Sequence, residues 1–189
     1  MGSAAIPNAL SAARAVLAPF IGWALLRGAY ELAFALLVLA GVTDGLDGYL
    51  ARRLHASSQA GAYLDPIADK VLVSVVVICL AWRGDLPWWL VALIFGRDVL
   101  ILAGAAAMRA FAGLREFPPS LWGKVATALN VVTVGTVIFA GIGVWAWVDR
   151  LAAGLIWIAA AATVWSGLHY AWLSARRLRA LHALHASHH

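Results

Sequence analysis

Residues 30–82 read YELAFALLVLAGVTDGLDGYLARRLHASSQAGAYLDPIADKVLVSVVVICLAW. Two apolar runs, 30–53 and 62–82, flank a polar stretch from Arg53 to Gly61. Each run has about the 20 residues a helix needs to cross a hydrocarbon core. The short connection makes the two helices antiparallel neighbours. Four acids, Asp44, Asp47, Asp65 and Asp69, interrupt the apolar runs beside that connection. Acids at membrane depth are costly, and they usually serve a function with a partner nearby.

Four further apolar segments, at 8–26, 87–110, 123–145 and 150–173, extend the pattern along the 189 residues. Turn formers or charges separate them: Arg27-Gly28, the run from Arg83 to Pro87, the run from Gly113 to Pro119, and Asp149-Arg150. Hydrophobic residues make up 63% of the chain and charged residues 12%. Soluble domains are about half apolar and about a quarter charged. The expected fold is therefore an all-α integral membrane protein, a six-transmembrane-helix bundle in one domain spanning 1–189. The first run lacks a short apolar core followed by a small-residue cleavage site, so it reads as a retained segment. Cys79 is the only cysteine, which excludes an internal disulfide and a cysteine-based zinc site.

The formal charge of +5 could point to nucleic acid in a soluble chain. Here the basic residues gather at helix ends, where they meet the cytoplasm and anionic membrane lipids. Arg14, Arg52, Arg53, Arg109, Arg115, Lys124, Arg176, Arg177 and Arg179 fall on one side; Arg27, Arg83 and Arg150 fall on the other. That bias puts the N-terminus, the second and fourth loops and the C-terminus in the cytoplasm. Trp88, Trp89, Trp145 and Trp147 then lie at the opposite interface. The histidines of the tail (His182, His185, His188, His189) belong to an expected disordered basic C-terminus.

Asp44 and Asp47 are three residues apart, Asp65 and Asp69 four, so each pair shares a helix face. Antiparallel packing would let both pairs converge on one cavity. Four carboxylates so close cannot all ionise without compensating charge. Arg52, Arg53 and Lys70 are the cations within the stretch. All-oxygen clusters of this kind suit Mg²⁺ or Mn²⁺. Two such ions about 4 Å apart would clamp a diphosphate and stabilise charge on attacking and leaving oxygens. Gly48, Ala51 and Gly61 are small enough for a bulky ligand to approach the backbone. An ion-paired hairpin, or a proton or cation pathway, would also account for the acids alone.

The pattern Asp44-x-x-Asp47-Gly48-x-x-Ala51-Arg52, then eight residues, then Gly61-x-x-x-Asp65-x-x-x-Asp69 resembles the signature of the CDP-alcohol phosphotransferase family. Ile6-Pro7-Asn8-Ala9-Leu10-Ser11 through Arg14 is similar to the family's opening segment, and Leu64 to Lys70 to its glycerophospholipid branch. The resemblance implies Asp44, Asp47, Asp65 and Asp69 as ligands of two Mg²⁺ or Mn²⁺ ions, with Asp69 also the general base. It implies Gly48 and Ala51 beside cytidine and Arg52 on the diphosphate. It further implies a homodimer that takes a phosphatidyl group from CDP-diacylglycerol, by direct attack of an alcohol, and releases CMP. An acid in a dry anionic cavity has a raised pKa and can accept a hydroxyl proton near neutral pH.

Arg97, Arg109, Arg115 and Lys124 place cations on the cytoplasmic side, where a phosphorylated acceptor could bind beside the metals. Gly96-Arg97-Asp98-Val99, and Ser120 followed by Gly123-Lys124 and Thr127, resemble cardiolipin synthases, whose acceptor is phosphatidylglycerol. Thr163 to Tyr170 is similar instead to phosphatidylglycerophosphate synthases, which use glycerol 3-phosphate. Those usually carry Arg-Glu where this chain has Arg97-Asp98, and both groups often show Gln at Asn130, so the cardiolipin reading is favoured. No histidine stands two residues before a lysine, so phospholipase D-type chemistry is set aside. A small ion or proton transporter is the rival from another class; the absence of an internal repeat and the clustering of the acids at one interface count against it. The expected location is the bacterial inner membrane, with the active site facing the cytoplasm.

Overall fold

The structure is a computed structural model that describes residues 5–54, 59–112 and 121–186, with side chains at 14–45, 68–106, 109 and 121–176. All elements among them are helices: α1 (Ala5–Leu26), α2 (Tyr30–Leu54), α3 (Gln59–Arg83), α4 (Trp88–Ala112), α5 (Leu121–Gly141) and α6 (Ala146–Ala186). Each apolar segment of the sequence forms one helix. Trp88–Ala106, Leu121–Gly141 and Ala146–Arg176 are long and apolar enough to cross a membrane, and Arg14–Leu26 forms a shorter apolar stretch. Large apolar side chains such as Phe20, Trp82, Leu102, Trp157 and Leu168 point outward. An exterior of that kind suits contact with lipid better than contact with water.

Two boundaries correct the sequence reading. Helix α5 stops at Gly141, and the turn after it uses Gly143 at φ 78°, so the last connection lies ahead of Asp149-Arg150. Asp149 instead sits in the first turn of α6, where a carboxylate suits the positive end of the helix dipole. The basic tail expected to be disordered is helical to Ala186. Its Ser-Ala-Arg-Arg-Leu-Arg-Ala-Leu-His-Ala-Leu-His-Ala run is rich in strong helix formers and free of glycine and proline.

The chain divides into two compact units, residues 1–87 with 134–150, and residues 88–133 with 151–189. In the first unit α1 packs on both α2 and α3. Its buried positions Arg14, Ala18, Ile21 and Leu25 recur at helical spacing on one face. On α3 the matching row is Leu72, Val76 and Leu80, and on α2 it includes Ala33 and Ala40. Helices α1 and α3 approach closely at Gly22, where a Cβ would lie 2.8 Å from Val75 Cγ1 and 3.3 Å from Cys79 Sγ.

Two helix ends in this unit close by the same device. Gly28 (φ 73°) and Gly84 (φ 86°) take the left-handed conformation that glycine adopts without a Cβ penalty. Ala29 N–H then reaches Ala24 O at 2.9 Å, and Asp85 N–H reaches Leu80 O at 2.9 Å. The two turns are tied together by side chains. Tyr30 donates its hydroxyl proton to Asp85, and Arg83 Nε donates to Tyr30 Oη at 3.0 Å and lies 3.4 Å from Asp85 Oδ2. Arg83 also donates to the Leu26 carbonyl at 3.4 Å.

In the second unit α4, the first part of α5 and most of α6 are held by polar contacts between apolar faces. Asn130 Nδ2 donates to Thr163 Oγ1 at 3.2 Å, and Thr133 Oγ1 donates to Leu129 O at 2.7 Å and Leu155 O at 3.3 Å. Trp89 and Trp157 pack with ring centres 5.1 Å apart.

Candidate active site

The apolar seam of the first unit turns polar at one end. Asp44 follows Ala33 and Ala40 on α2 at helical spacing, and Asp69 precedes Leu72, Val76 and Leu80 on α3 in the same way. Arg14 stands one turn before Ala18 on α1, with only 2% of its side chain exposed. Its Nη1 donates to Oδ1 of Asp44 and to Oδ1 of Asp69. One guanidinium nitrogen thus gathers carboxylates from two other helices. Each of these carboxylates keeps 53% of its side chain exposed, so the cluster is buried on the arginine side and open on the acid side. Thr43, beside Asp44, satisfies its hydroxyl inside the helix, 2.9 Å from both Leu39 O and Ala40 O.

The sequence offered Arg52, Arg53 and Lys70 as compensating cations; the structure adds Arg14. The signal was present, since an arginine inside an apolar run needs a partner. What the sequence does not carry is which acid answers it, because the partners lie 30 and 55 residues away.

Positions 44 and 47 lie in one continuous helix, as do 61, 65 and 69. The side chains of Asp47, Gly48, Ala51, Arg52, Gly61 and Asp65 lie outside the described residues, as does Arg115 entirely. Among the described residues no three acidic, histidine or cysteine side chains converge. Asp44 and Asp69 are nevertheless of the chemistry a hard divalent cation takes: both are carboxylates, both reach Arg14 Nη1, and each stays about half exposed.

The cations expected for the acceptor fall in the second unit. Arg97 Nη1 pairs with Asp98 at 2.9 Å, while Nη2 donates to Gly123 O at 3.2 Å and Ser166 Oγ at 3.3 Å. Both Nη atoms are therefore engaged within the unit. Arg109, in the last turn of α4, and Lys124, near the start of α5, are exposed. His169 is half-buried on α6, its ring 6.2 Å from that of Trp172, and its Nδ1 has no hydrogen-bond partner among the described residues.

Comparison with known proteins agrees with the family resemblance of the sequence. Residues 4–165 match the family model described as CDP-alcohol phosphatidyltransferase, a match that takes in residues of both units. The chain is 34% identical over 168 residues to a probable cardiolipin synthase (CMP-forming) of Drosophila melanogaster, covering 80% of this chain and 52% of that protein. It is 43% identical over 105 residues to the chloroplastic CDP-diacylglycerol–glycerol-3-phosphate 3-phosphatidyltransferase 1 of Oryza sativa subsp. japonica, covering 56% and 32%. It is also 36% identical over 137 residues to a probable phosphatidylglycerophosphate synthase of Mycobacterium tuberculosis, covering 69% and 64%. The chain spans less than two thirds of the length of each of these relatives. With most of its length inside one family model, the chain belongs to the CDP-alcohol phosphatidyltransferase family, a family of transferases.

Proposed function

We propose that this chain transfers a phosphatidyl group from CDP-diacylglycerol to phosphatidylglycerol, giving cardiolipin and CMP. The observation that carries the reading is the convergence of Asp44 and Asp69 at the polar end of an otherwise apolar seam. The names of the Drosophila and Mycobacterium relatives support the phosphatidyl chemistry. We place the work in a six-span membrane bundle, as a homodimer in the bacterial inner membrane, with the acids facing the cytoplasm.

In this mechanism Asp69 accepts the proton of the acceptor hydroxyl. The freed oxygen attacks the phosphorus that carries the diacylglycerol, and the bond from that phosphorus to the bridging oxygen of CMP breaks. CMP departs with the bonding electrons, and Asp69 releases its proton to water. Asp44, Asp47, Asp65 and Asp69 would hold two Mg²⁺ or Mn²⁺ ions, which supply charge neutralisation on the diphosphate. Gly48, Ala51 and Gly61 leave room for the cytidine diphosphate, and Arg52 binds its phosphates. For the acceptor phosphate we propose Arg109, Arg115 and Lys124; Arg97, engaged through both Nη atoms, holds α4 to α5 and α6 instead.

The test is CMP release by purified protein given CDP-diacylglycerol and Mn²⁺, with phosphatidylglycerol, glycerol 3-phosphate or inositol phosphate in parallel. Activity with phosphatidylglycerol alone supports the proposal. Activity with glycerol 3-phosphate moves the product to phosphatidylglycerophosphate; the rice relative is named for that acceptor and the Mycobacterium relative for that product. A second reading, in which the acids form only an ion-paired knot, is favoured by the Arg14 contacts. Binding of CDP that depends on Mn²⁺ excludes it.

A further inference from the structure

Arg14 has a role that a simple structural ion pair would not need. Its guanidinium is 2% exposed, so its charge must be answered inside the protein. Among the described residues it is answered twice by one atom, since Nη1 touches a carboxylate of α2 and a carboxylate of α3. The point between those two oxygens is where a cation shared by Asp44 and Asp69 would sit. Two positive centres cannot share it, because they repel strongly wherever water is scarce. Each carboxylate is still about half exposed, so an ion arriving from solvent can reach it.

Resting on the metal-site reading above, we propose that Arg14 is a built-in counter-cation for Asp44 and Asp69, exchanged when a divalent ion binds and so setting the affinity of the site. In the metal-free protein the guanidinium suppresses repulsion between the two acids and keeps the seam closed. When metal arrives, its charge takes over that task, and Arg14 turns on its long side chain away from the shared point. Arginine remains charged throughout, so the exchange is a movement of charge and not a change of protonation.

The two roles give opposite signs on two measurements. Removing Arg14 lowers the stability of the metal-free protein but tightens metal binding. A purely structural pin would lower stability and leave affinity unchanged or weaker. The experiment uses the full chain in lipid nanodiscs, with free Mn²⁺ counted by electron paramagnetic resonance during titration. Arg14→Gln is expected to lower the Mn²⁺ Kd roughly tenfold, since a competing charge beside the ligands is gone. Arg14→Lys, whose single nitrogen grips two acids less well, is expected to lower it about threefold. The lysine variant decides the matter if the glutamine variant does not fold. Kd values at or above wild type in the folded variants overturn the inference. No Mn²⁺ binding by wild type overturns the metal-site reading as well. Wild-type binding that is lost in Asp44→Asn but untouched by changes at Arg14 overturns the inference alone.

Discussion

Arg14 in the first unit and Arg97 in the second both stand within apolar helices, and they are answered in different ways. Arg97 is paired by the next residue, Asp98, and its remaining bonds go to a carbonyl and a hydroxyl. That arrangement sets one cation against one acid of the same helix. Arg14 draws on acids from two other helices, two carboxylates to one guanidinium among the described residues. The first is a closed pair that fastens helices together. The second is a half-exposed cluster, where the proposed metal ions would bind. Arg14 is also the more deeply buried of the two, with 2% of its side chain exposed against 16% for Arg97.

Four changes would break or sharpen this contrast. The largest effect is expected at Asp69. Asp69→Asn should lower CMP release by about a thousandfold, the scale of a lost general base, while CDP-diacylglycerol still binds. Near-normal turnover would remove Asp69 from the proposed chemistry. Next, Arg97→Met removes the ion pair to Asp98 and the bonds to Gly123 and Ser166 and should cost about 2 kcal/mol of stability, read by denaturant unfolding in detergent. The double change Arg97→Met with Asp98→Asn should recover most of that loss. A closed pair also implies that Mn²⁺ affinity stays at the wild-type value in both; a shift there would erase the distinction between the two arginines.

Smaller effects test packing on each side. Gly104→Ala places a Cβ 3.1 Å from Tyr170 Cε1 in the second unit and should cost about 1 kcal/mol, again with Mn²⁺ binding unmoved. Gly28→Ala forces a side chain onto φ 73° in the first unit and should cost about 1 kcal/mol. Its measurement is the thermal midpoint in the presence of EDTA, and an unchanged midpoint would mean that the turn relaxes at no cost.

The helices were legible because each is an apolar run bounded by glycine, proline or charge. Their ends were less so. Gly143 rather than Asp149 marks the turn before α6, and an aspartate reads equally well as a turn residue or as the first turn of a helix. The tail beyond Arg176 looked disordered by its charge, whereas its alanines and leucines keep it helical to Ala186. At the site, the acids announced themselves by their cost in an apolar run. Arg14 announced only that it needed a partner. Which partner depends on three helices meeting at one level, and spacing along a single helix carries no such information.

The knot of Tyr30, Arg83 and Asp85 has a mechanical consequence for Arg14. About 21 Å of helix separates Tyr30 from Asp44, and the same length separates Arg83 from Asp69, at 1.5 Å per residue. With the far ends fastened, each acid sits the same distance along its helix from the knot, and both helices run on a further ten residues beyond it. A tilt of about 3° at the knot would move an acid by about 1 Å over such a length, so the fastening of Tyr30, Arg83 and Asp85 bears on how closely the two acids approach Arg14.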